Sequence, residues 1–419
     1  MIKLGAKKSR TSQQLSPVSL HDPGPESSSV IASAVKVASS EDLLIQILLH
    51  VPIKKLLSFK SVSKHWYSLI TNPRFVRLHN PLPSASALFF IRSSCRSTPD
   101  YQFIPLDVSD DCPTPFKSLD FVHDPLRSGI SVLQSCNGLL LCASYRARIL
   151  NRRYYVYNPT TKHFATLLQI KQEHSKISPY YKVVCVRQSK TSDNPFQIEI
   201  YSYETRLWRV SGQPFKAPQF TKFENCIYWN GCVHWWNGFV SLWNDEQYTL
   251  YFKVEEERVE QLPMTRKNIQ AVVMPDQDLP EQVATYLGES QGHWHLIDVY
   301  SDSTCLFNVY EMARDYSGWF VKYHVDLSAI STIYTDTITN GSYDYRFNIL
   351  SLVRRGQEEE EDGSFLVLEI PGGKIVRYNF ADKSVVKLCE FDPIVHRYYY
   401  NNDLKYISTF SYMESFASV

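Results

Sequence analysis

The sequence predicts an α+β protein of two folded units: a small three-helix module followed by an all-β, propeller-like domain. Three observations support this fold class. A chain of 419 residues is too long for one compact core of ordinary size, although a β-propeller can hold roughly 300 residues in one unit. Apolar residues follow a helical period over residues 39–80, and from about residue 85 short strand-like runs replace them. A strand–turn–strand unit then recurs at intervals typical of propeller blades.

Residues 1–38 are predicted to form a disordered tail. They are rich in Ser, Pro, Lys and Gln and have few large apolar side chains, so they cannot bury enough surface to offset the entropy of ordering. The cluster Lys7-Lys8-Ser9-Arg10 is open to two interpretations, a nuclear-import signal or ordinary solvated charge, and the second is the commoner.

The helical module begins where the composition changes, at Ser39. Ser39 or Ser40 is expected to accept hydrogen bonds from the first free amides of a helix. Pro52 ends that helix, because a proline disfavours α geometry in the residue before it, and its fixed φ suits the first turn of the next helix. A second helix is predicted over residues 53–59 and a third from about Val62 to Ile70, followed by a brief turn.

About 40 residues of short helix cannot enclose all their own apolar side chains, because units of this size usually need a metal, disulfides or a partner. Residues 39–78 contain no cysteine or cluster of metal ligands. An apolar face should therefore stay open, and such faces mark interaction surfaces. Two outcomes remain open from periodicity alone: the helices bind another protein, or they pack as a cap on the β domain.

The all-β domain is assigned to residues 85–415. Its strongest hairpin signal is Asn230-Gly231, because a type I′ turn requires positive φ at both central residues. The recurring strand–turn–strand units, which we interpret as blades, lie near Tyr154, Ile198, Leu250, Phe307 and Val376.

Composition argues against several classes of protein. The 44 basic and 43 acidic residues leave a formal charge of +1, which provides no field to attract nucleic acid. No stretch reaches the roughly 18 apolar residues of a membrane span, and the basic N-terminus lacks the apolar segment of a signal peptide. The nine cysteines have no scaffold-like spacing, so we interpret them as reduced core residues of a cytoplasmic or nuclear protein.

Metal, cofactor and catalytic sites are not expected. Pairs that would share a strand face are Cys136 with Cys142, Cys226 with Cys232, and His293 with His295. That spacing has little specificity, and the tight Cys-x-x-Cys pair of a zinc site is absent from the sequence. Phosphate-binding loops and a Gly-x-Ser-x-Gly motif are absent too. An enzyme built on the β domain is the alternative from another class.

The segment from Ser39 to Phe75 resembles an F-box of the plant type that precedes an F-box-associated β domain. The resemblance rests on the order Glu-Asp-Leu-Leu, Val51-Pro52, Lys-Leu-Leu, Phe59-Lys-Ser-Val-Ser-Lys-His-Trp, Leu-Ile and Asn-Pro-Arg-Phe. One position departs from the family pattern, because Ser39-Ser40 stands where the family commonly has Leu-Pro, and one apolar anchor is missing.

Parts of the second half are similar to the associated domain of the same family. The motifs are Ser135-Cys-Asn-Gly-Leu-Leu, Val156-Tyr-Asn-Pro-Thr-Thr-Lys, Tyr228-Trp-Asn-Gly-Cys-Val-His-Trp and Tyr286-Leu-Gly-Glu-Ser-Gln-Gly-His-Trp-His-Leu. The paired glycines of a true kelch repeat occur only at Gly372-Gly373.

The resemblance implies a non-catalytic receptor in a Skp-cullin-F-box ubiquitin ligase. The F-box would bind a Skp-type adaptor and through it a cullin scaffold, while the β domain would hold an unidentified target protein. By position, the adaptor contacts and the small core of the module would come from Leu43, Leu44, Ile47, Leu48, Pro52, Leu56, Leu57, Val62, Trp66, Leu69 and Ile70.

An alternative is a β-propeller binding protein outside ligases, which would recognise a peptide or a glycan. The candidate aromatic residues are Trp229, Trp235, Trp236 and Trp294. Large apolar side chains also fill the space between propeller sheets, and that role is the commoner one for such residues.

Overall fold

The structure is a computed structural model, and it divides into two compact units, Met1–His79 and Asn80–Val419. It describes residues 36–37, 39–79, 85–91, 99, 101–107, 116, 119–122, 129–144, 152–167, 181–188, 195–217, 221, 223, 226–235, 248–263, 282–300, 305–334, 347–356, 363–370, 372–391, 409–417 and 419. The predicted tail, residues 1–38, lies outside the described residues except for Lys36 and Val37, which are helical.

The first unit consists of short helices. They are α1 (Glu41–Leu49), α2 (Ile53–Phe59), α3 (Lys64–Thr71) and α4 (Pro73–His79). The fourth replaces the brief turn that the sequence predicts after α3. It begins there because Pro73 suits a first helical turn and because the side-chain Oδ1 of Asn72 accepts a hydrogen bond from the Arg74 amide at 2.8 Å.

The described residues of the second unit form six antiparallel sheets, which we call blades 1 to 6. Blade 1 consists of β22 (Thr409–Tyr412), β1 (Ala87–Ile91) and β2 (Tyr101–Pro105). Blade 2 consists of β3 (Ile130–Cys136), β4 (Leu139–Ser144), β5 (Tyr154–Asn158) and β6 (His163–Leu167). Blade 3 consists of β7 (Lys182–Gln188), β8 (Phe196–Ser202) and β9 (Leu207–Phe215).

Blade 4 consists of β10 (Cys226–Trp229), β11 (Cys232–Trp235), β12 (Tyr248–Lys253) and β13 (Arg258–Pro263). Blade 5 consists of β14 (Gln282–Ser290), β15 (His293–Tyr300), β16 (Leu306–Met312) and β17 (Trp319–Asp326). Blade 6 consists of β18 (Asn348–Val353), β19 (Phe365–Ile370), β20 (Lys374–Asn379) and β21 (Val385–Glu390). The short helix α5 (Ser328–Ile333) lies between blades 5 and 6 in the chain.

Neighbouring blades pack on one another in a closed ring through shared apolar clusters, so the predicted β-propeller is confirmed, and it has six blades. Strand β14 contacts both β10 and β18. The Gln134 side chain of β3 donates to the Cys226 carbonyl of β10 at 2.9 Å. The C-terminal strand β22 joins β18 to β3, since Thr409 Oγ1 donates to the Leu350 carbonyl and Ser135 Oγ donates to the Ser411 carbonyl.

The predicted strand–turn–strand repeat corresponds to one position in the blades. Each of its five landmarks lies in the strand before the last turn of a blade, that is in β5, β8, β12, β16 or β20. In blades 2 to 6 that turn has a non-glycine residue with positive φ, namely Lys162, Arg206, Glu257, Tyr316 and Lys383. Blade 1 does not appear in the sequence repeat, because its strands come from both ends of the propeller sequence.

The hairpin predicted at Asn230-Gly231 is confirmed. The φ angles are 50° and 75°, and Trp229 pairs with Cys232 across the turn. Apolar side chains fill the space between neighbouring blades. One such cluster joins Ile297 and Val309 of blade 5 to Leu366 and Leu368 of blade 6, and all four side chains are fully buried.

Candidate functional site

The apolar residues of the helical unit form a buried group and an exposed group. In α1, Leu44 and Leu48 are buried, whereas Leu43 and Ile47 are each 51% exposed. Residues four apart lie on the same face of a helix, so α1 has one apolar face in the core and a second in solvent. This arrangement leaves an open apolar surface of the kind that binds a partner.

The structure assigns a position to each of the eleven residues predicted for this site. Five are buried and form the core of the unit: Leu44, Leu48, Leu56, Leu69 and Ile70. Four are exposed: Leu43, Ile47, Pro52 and Val62. Two are half-buried: Leu57 and Trp66.

A helix cap, a contact between two rings and a hydrogen bond from α4 fix the α2–α3 and α1–α2 links. Ser63 caps α3, since its Oγ accepts a hydrogen bond from the Trp66 amide at 3.1 Å. The Trp66 ring meets the edge of Phe59, with ring centroids 5.4 Å apart. His79 at the end of α4 reaches back to the α1–α2 link, with its Nε2 2.8 Å from the Val51 carbonyl oxygen. These contacts position Val62 and Pro52 at the surface.

The start of α1 differs from the expectation. Ser40 is the N-cap residue, but its side chain makes no capping hydrogen bond. Ser39 Oγ instead donates to the Lys36 carbonyl at 3.0 Å. Residues 36, 37 and 39 are already helical, so the Ser39 hydroxyl donates to a carbonyl of the preceding residues and does not accept from the amides of α1.

Two exposed apolar side chains and two core residues were absent from the predicted set. Tyr67 and Leu78 are 56% and 50% exposed, while Ile53 and Phe75 are buried. Ile53 could have been found in the sequence, since it stands three residues before Leu56 on one face of α2. Tyr67 follows the half-buried Trp66, and nothing in the sequence indicates which of the two points outward.

The propeller contains a buried aromatic cluster where blades 4 and 5 meet. Trp229 and Trp294 belong to it, whereas Trp235 packs in the cluster between blades 3 and 4. All three are at most 3% exposed, which assigns them to the core and removes them as a glycan-binding surface; Trp236 lies outside the described residues. His234 stacks on Tyr251, with centroids 5.4 Å apart. Burial lowers the pKa of His234 to about 4.

His293 and His295 lie on the same face of β15, as the sequence predicts, and both approach the carboxylate of Glu311. His293 Nδ1 lies 2.6 Å from Glu311 Oε1, and Arg354 donates to Glu311 Oε2 at 2.8 Å. Burial raises the pKa of the Glu311 carboxyl, but the hydrogen bond with His293 and the nearby His295, 3.6 Å away, outweigh it and hold that pKa far below its ordinary value. Within the part of the chain that the structure describes, no group of three His, Cys, Asp or Glu side chains is arranged to hold a metal ion.

The described cysteines are free thiols: Cys136, Cys142, Cys185, Cys226, Cys232, Cys305 and Cys389.

Across the described residues, no helix combines the length and apolar character that a membrane crossing requires.

Comparisons with known proteins decide the family. Residues 40–78 match the F-box domain, and residues 107–274 match the F-box associated beta propeller domain. The chain is 35% identical over 410 residues to F-box protein At5g07610 of Arabidopsis thaliana, a match that covers 93% of this chain and 94% of the relative. This chain is an F-box protein.

Other relatives match the F-box protein over a shorter length. F-box protein At5g49610 of Arabidopsis thaliana is 28% identical over 224 residues, which cover 46% of this chain and 57% of the relative. Among solved structures, the Vanderwaltozyma polyspora Nup133 β-propeller domain aligns with 66% of this chain and 70% of its own, at 12% identity and a TM-score of 0.29. That likeness is too low to carry an argument.

The matched segments of the F-box protein coincide with structural units. The F-box match spans α1, α2, α3 and nearly all of α4. The propeller match spans blades 2, 3 and 4. Blades 1, 5 and 6 lie outside this match. Blades 5 and 6 continue the four-stranded pattern in β14–β17 and β18–β21.

Proposed function

We propose that this F-box protein is the substrate-recognition subunit of a Skp-cullin-F-box ubiquitin ligase. The F-box unit binds a Skp-type adaptor, which links it to a cullin scaffold, and the propeller unit holds the target protein. The receptor supplies no reacting group, since it acts by raising the effective concentration of the target beside the ubiquitin-charged enzyme.

One observation carries the adaptor half of this proposal: α1 presents Leu43 and Ile47 to solvent although its other face already fills a core. Exposed apolar helix faces of this kind dock into the grooves of partner proteins. Residues 40–78 also carry six basic and two acidic side chains. Lys54 and Lys55 on α2 are exposed, which favours an adaptor surface with acidic residues at its rim.

The adaptor half is tested by Leu43→Asp combined with Ile47→Asp. Both side chains are outside the core, so the variant should fold, and burying two carboxylates at an apolar interface should weaken binding by about thirtyfold or more. The measurement is the Kd of the purified full-length protein for a Skp-type adaptor. The control is Gln46→Asp, which places one negative charge at an exposed polar position of the same helix.

An unchanged Kd in the double variant would contradict the proposed interface. Equal weakening by Gln46→Asp would assign the effect to charge alone and would contradict it as well. Leu44→Asp is unsuitable as a test, because Leu44 is 3% exposed and a buried carboxylate there would unfold the unit.

The target half is tested by proximity labelling in cells, with the wild type and the double variant as baits. Proteins held by the propeller should be labelled by both baits, whereas the adaptor and the cullin should be labelled by the wild type alone. A true target is then a shared protein whose ubiquitination falls when the variant replaces the wild type. If every shared protein keeps its ubiquitination, the ligase role is wrong.

A further inference from the structure

Residues 413–417 continue directly from the closing strand β22 and lie across two turns of blade 2. The side-chain Nδ2 of Asn158 donates to the Ser415 carbonyl at 3.0 Å and to the Ala417 carbonyl at 2.8 Å. The Ser415 amide in turn donates to Thr160 Oγ1 at 3.1 Å. The segment is therefore bound through its backbone to the turn that follows β5.

Asn158 uses both ends of its side chain and is fully buried. Its Oδ1 accepts hydrogen bonds from the Thr160 and Thr161 amides at 2.9 and 3.1 Å. The oxygen thus shapes the turn of blade 2 while the nitrogen binds residues 413–417. An aspartate could replace the first role but not the second, because an ionised carboxylate has no donor.

Gly138, in the β3–β4 turn, provides the second contact. A Cβ at this position would overlap the Ser415 side chain and would lie 2.8 Å from the Met413 carbonyl oxygen. The conformation of the turn does not by itself explain why Gly138 lies so close to Ser415 and Met413. Gly231 and Gly292 occupy the same place in the equivalent turns of blades 4 and 5 with similar φ, and a Cβ on either would meet nothing within 4 Å.

The contacts account for two of the motifs noted in the sequence. Ser135 and Gly138 belong to Ser135-Cys-Asn-Gly, and Asn158 and Thr160 belong to Tyr157-Asn-Pro-Thr. Ser135 Oγ binds the Ser411 carbonyl of β22 itself at 2.5 Å. Both motifs of blade 2 therefore contact a segment more than 250 residues away in the chain.

We propose that residues 413–417 form a clasp, and that docking of this clasp on Asn158 and Gly138 holds β22 in the propeller ring. The strand has only four residues, and among the described strands it pairs with β1 alone. Two side-chain hydrogen bonds tie it to the adjacent blades. So short a strand gains few bonds of its own, and the clasp adds stabilisation at the one place where the ring joins its two ends. The clasp lies within the propeller unit and does not depend on adaptor binding.

The first test compares Asn158→Asp with Asn379→Asp in the full-length protein. Asn379 also ends the third strand of its blade, but its Nδ2 donates only to Ser384 Oγ among the described contacts. Amide hydrogen exchange of β22, residues 409–412, should become at least about tenfold faster in Asn158→Asp, because two buried hydrogen bonds are lost and the new charge faces two carbonyls. Asn379→Asp should leave exchange in β22 unchanged.

The second test compares Gly138→Ala with Gly231→Ala. Both changes impose the same cost of an alanine at positive φ, +77° and +75° respectively. Only the first collides with the clasp, so exchange in β22 should accelerate in Gly138→Ala alone. If either blade 2 variant fails to fold, Thr160→Val is the milder change, since it removes just the acceptor of the Ser415 amide.

Two outcomes would overturn the proposal. In the first, exchange at Ser415 and Ala417 rises while β22 keeps its wild-type protection, so that the clasp detaches without loosening the strand. In the second, Gly231→Ala or Asn379→Asp accelerates exchange in β22 as much as its partner variant, so that turn strain in any blade is the cause.

Discussion

At the residue scale, the surroundings of a propeller side chain can come from a neighbouring blade, and His234 is an example. His234 of β11 lies 3.0 Å from the Tyr316 hydroxyl of blade 5 through its Nε2, and its ring is 4.6 Å from that of Trp294. Its Nδ1 has no hydrogen-bond partner among the described residues. A protonated imidazole would place an unpaired charge in this aromatic cluster, so His234 is held neutral.

This burial predicts a pH dependence of stability. Burial lowers the pKa of His234 from 6.5 to about 4. Between these two values the unfolded chain binds a proton that the folded protein does not. The free energy of unfolding therefore decreases as the pH falls through that window, by about 3 kcal/mol in total for this one group.

The measurement is urea denaturation of the wild type and His234→Gln at several pH values from 7 to 4. The variant should show a shallower loss of stability towards low pH, by up to about one proton at the steepest point. This readout is a slope, so an overall stability change in the variant does not affect it. Parallel pH profiles would show that His234 does not contribute.

At the scale of elements, α1 illustrates what a periodic pattern leaves undecided. Its apolar residues recur at i, i+1, i+4 and i+5, which describes a face wider than one core can cover. Helix α4 packs against α1, and one half of that face is buried while the other half stays open. Neighbouring residues of equal hydrophobicity thereby acquire different roles.

The two roles predict opposite outcomes for adjacent substitutions. Leu48 is completely buried, so Leu48→Ala should destabilise the helical unit by about 3 kcal/mol, from lost burial and the cavity left behind. Ile47 is 51% exposed, and Ile47→Ala should cost less than about 1 kcal/mol. Hydrogen exchange of the α1 to α4 amides in the full-length protein measures both. Equal destabilisation by the two changes would contradict the assignment of faces.

At the scale of the whole propeller, blade 1 joins the two ends of the propeller sequence. It takes two strands from the start of the unit and one from the end. Tyr412 of β22 is 1% exposed and packs on Phe89 and Phe103, with ring centroids 5.4 and 5.8 Å away. Strands at opposite ends of the sequence thus share one aromatic core.

Tyr412→Ala should therefore weaken distant blades as well as blade 1. Loss of this buried ring should cost about 3 to 4 kcal/mol. Tryptophan fluorescence, measured in a Trp66→Phe background so that only propeller tryptophans report, should show an unfolding midpoint at lower urea, in a single transition. The control is Phe320→Ala on the partly exposed strand β17, where Phe320 is 44% exposed. An unchanged fluorescence midpoint with faster exchange in β22 would mean that blade 1 opens alone.

The sequence by itself determined the fold class, because its signals are local. Helical period, the proline at position 52, the Asn230-Gly231 turn and the blade repeat each depend on residues within one element or one hairpin. These predicted the short helices and the propeller, and they located five of the six blades at the correct strand. A motif with ordered spacing also sufficed to identify the F-box.

Tertiary structure alone decided which residues are buried and how the ring closes. The sequence could not separate Leu43 from Leu44 or Tyr67 from Trp66, because the side that becomes core depends on where the neighbouring helices pack. It missed blade 1, in which the paired strands β1 and β22 are more than 300 residues apart, since pairing between distant segments leaves no periodic signal. The contact of Asn158 with residues 413–417 is hidden for the same reason: burial and long-range pairing arise only when the whole chain folds.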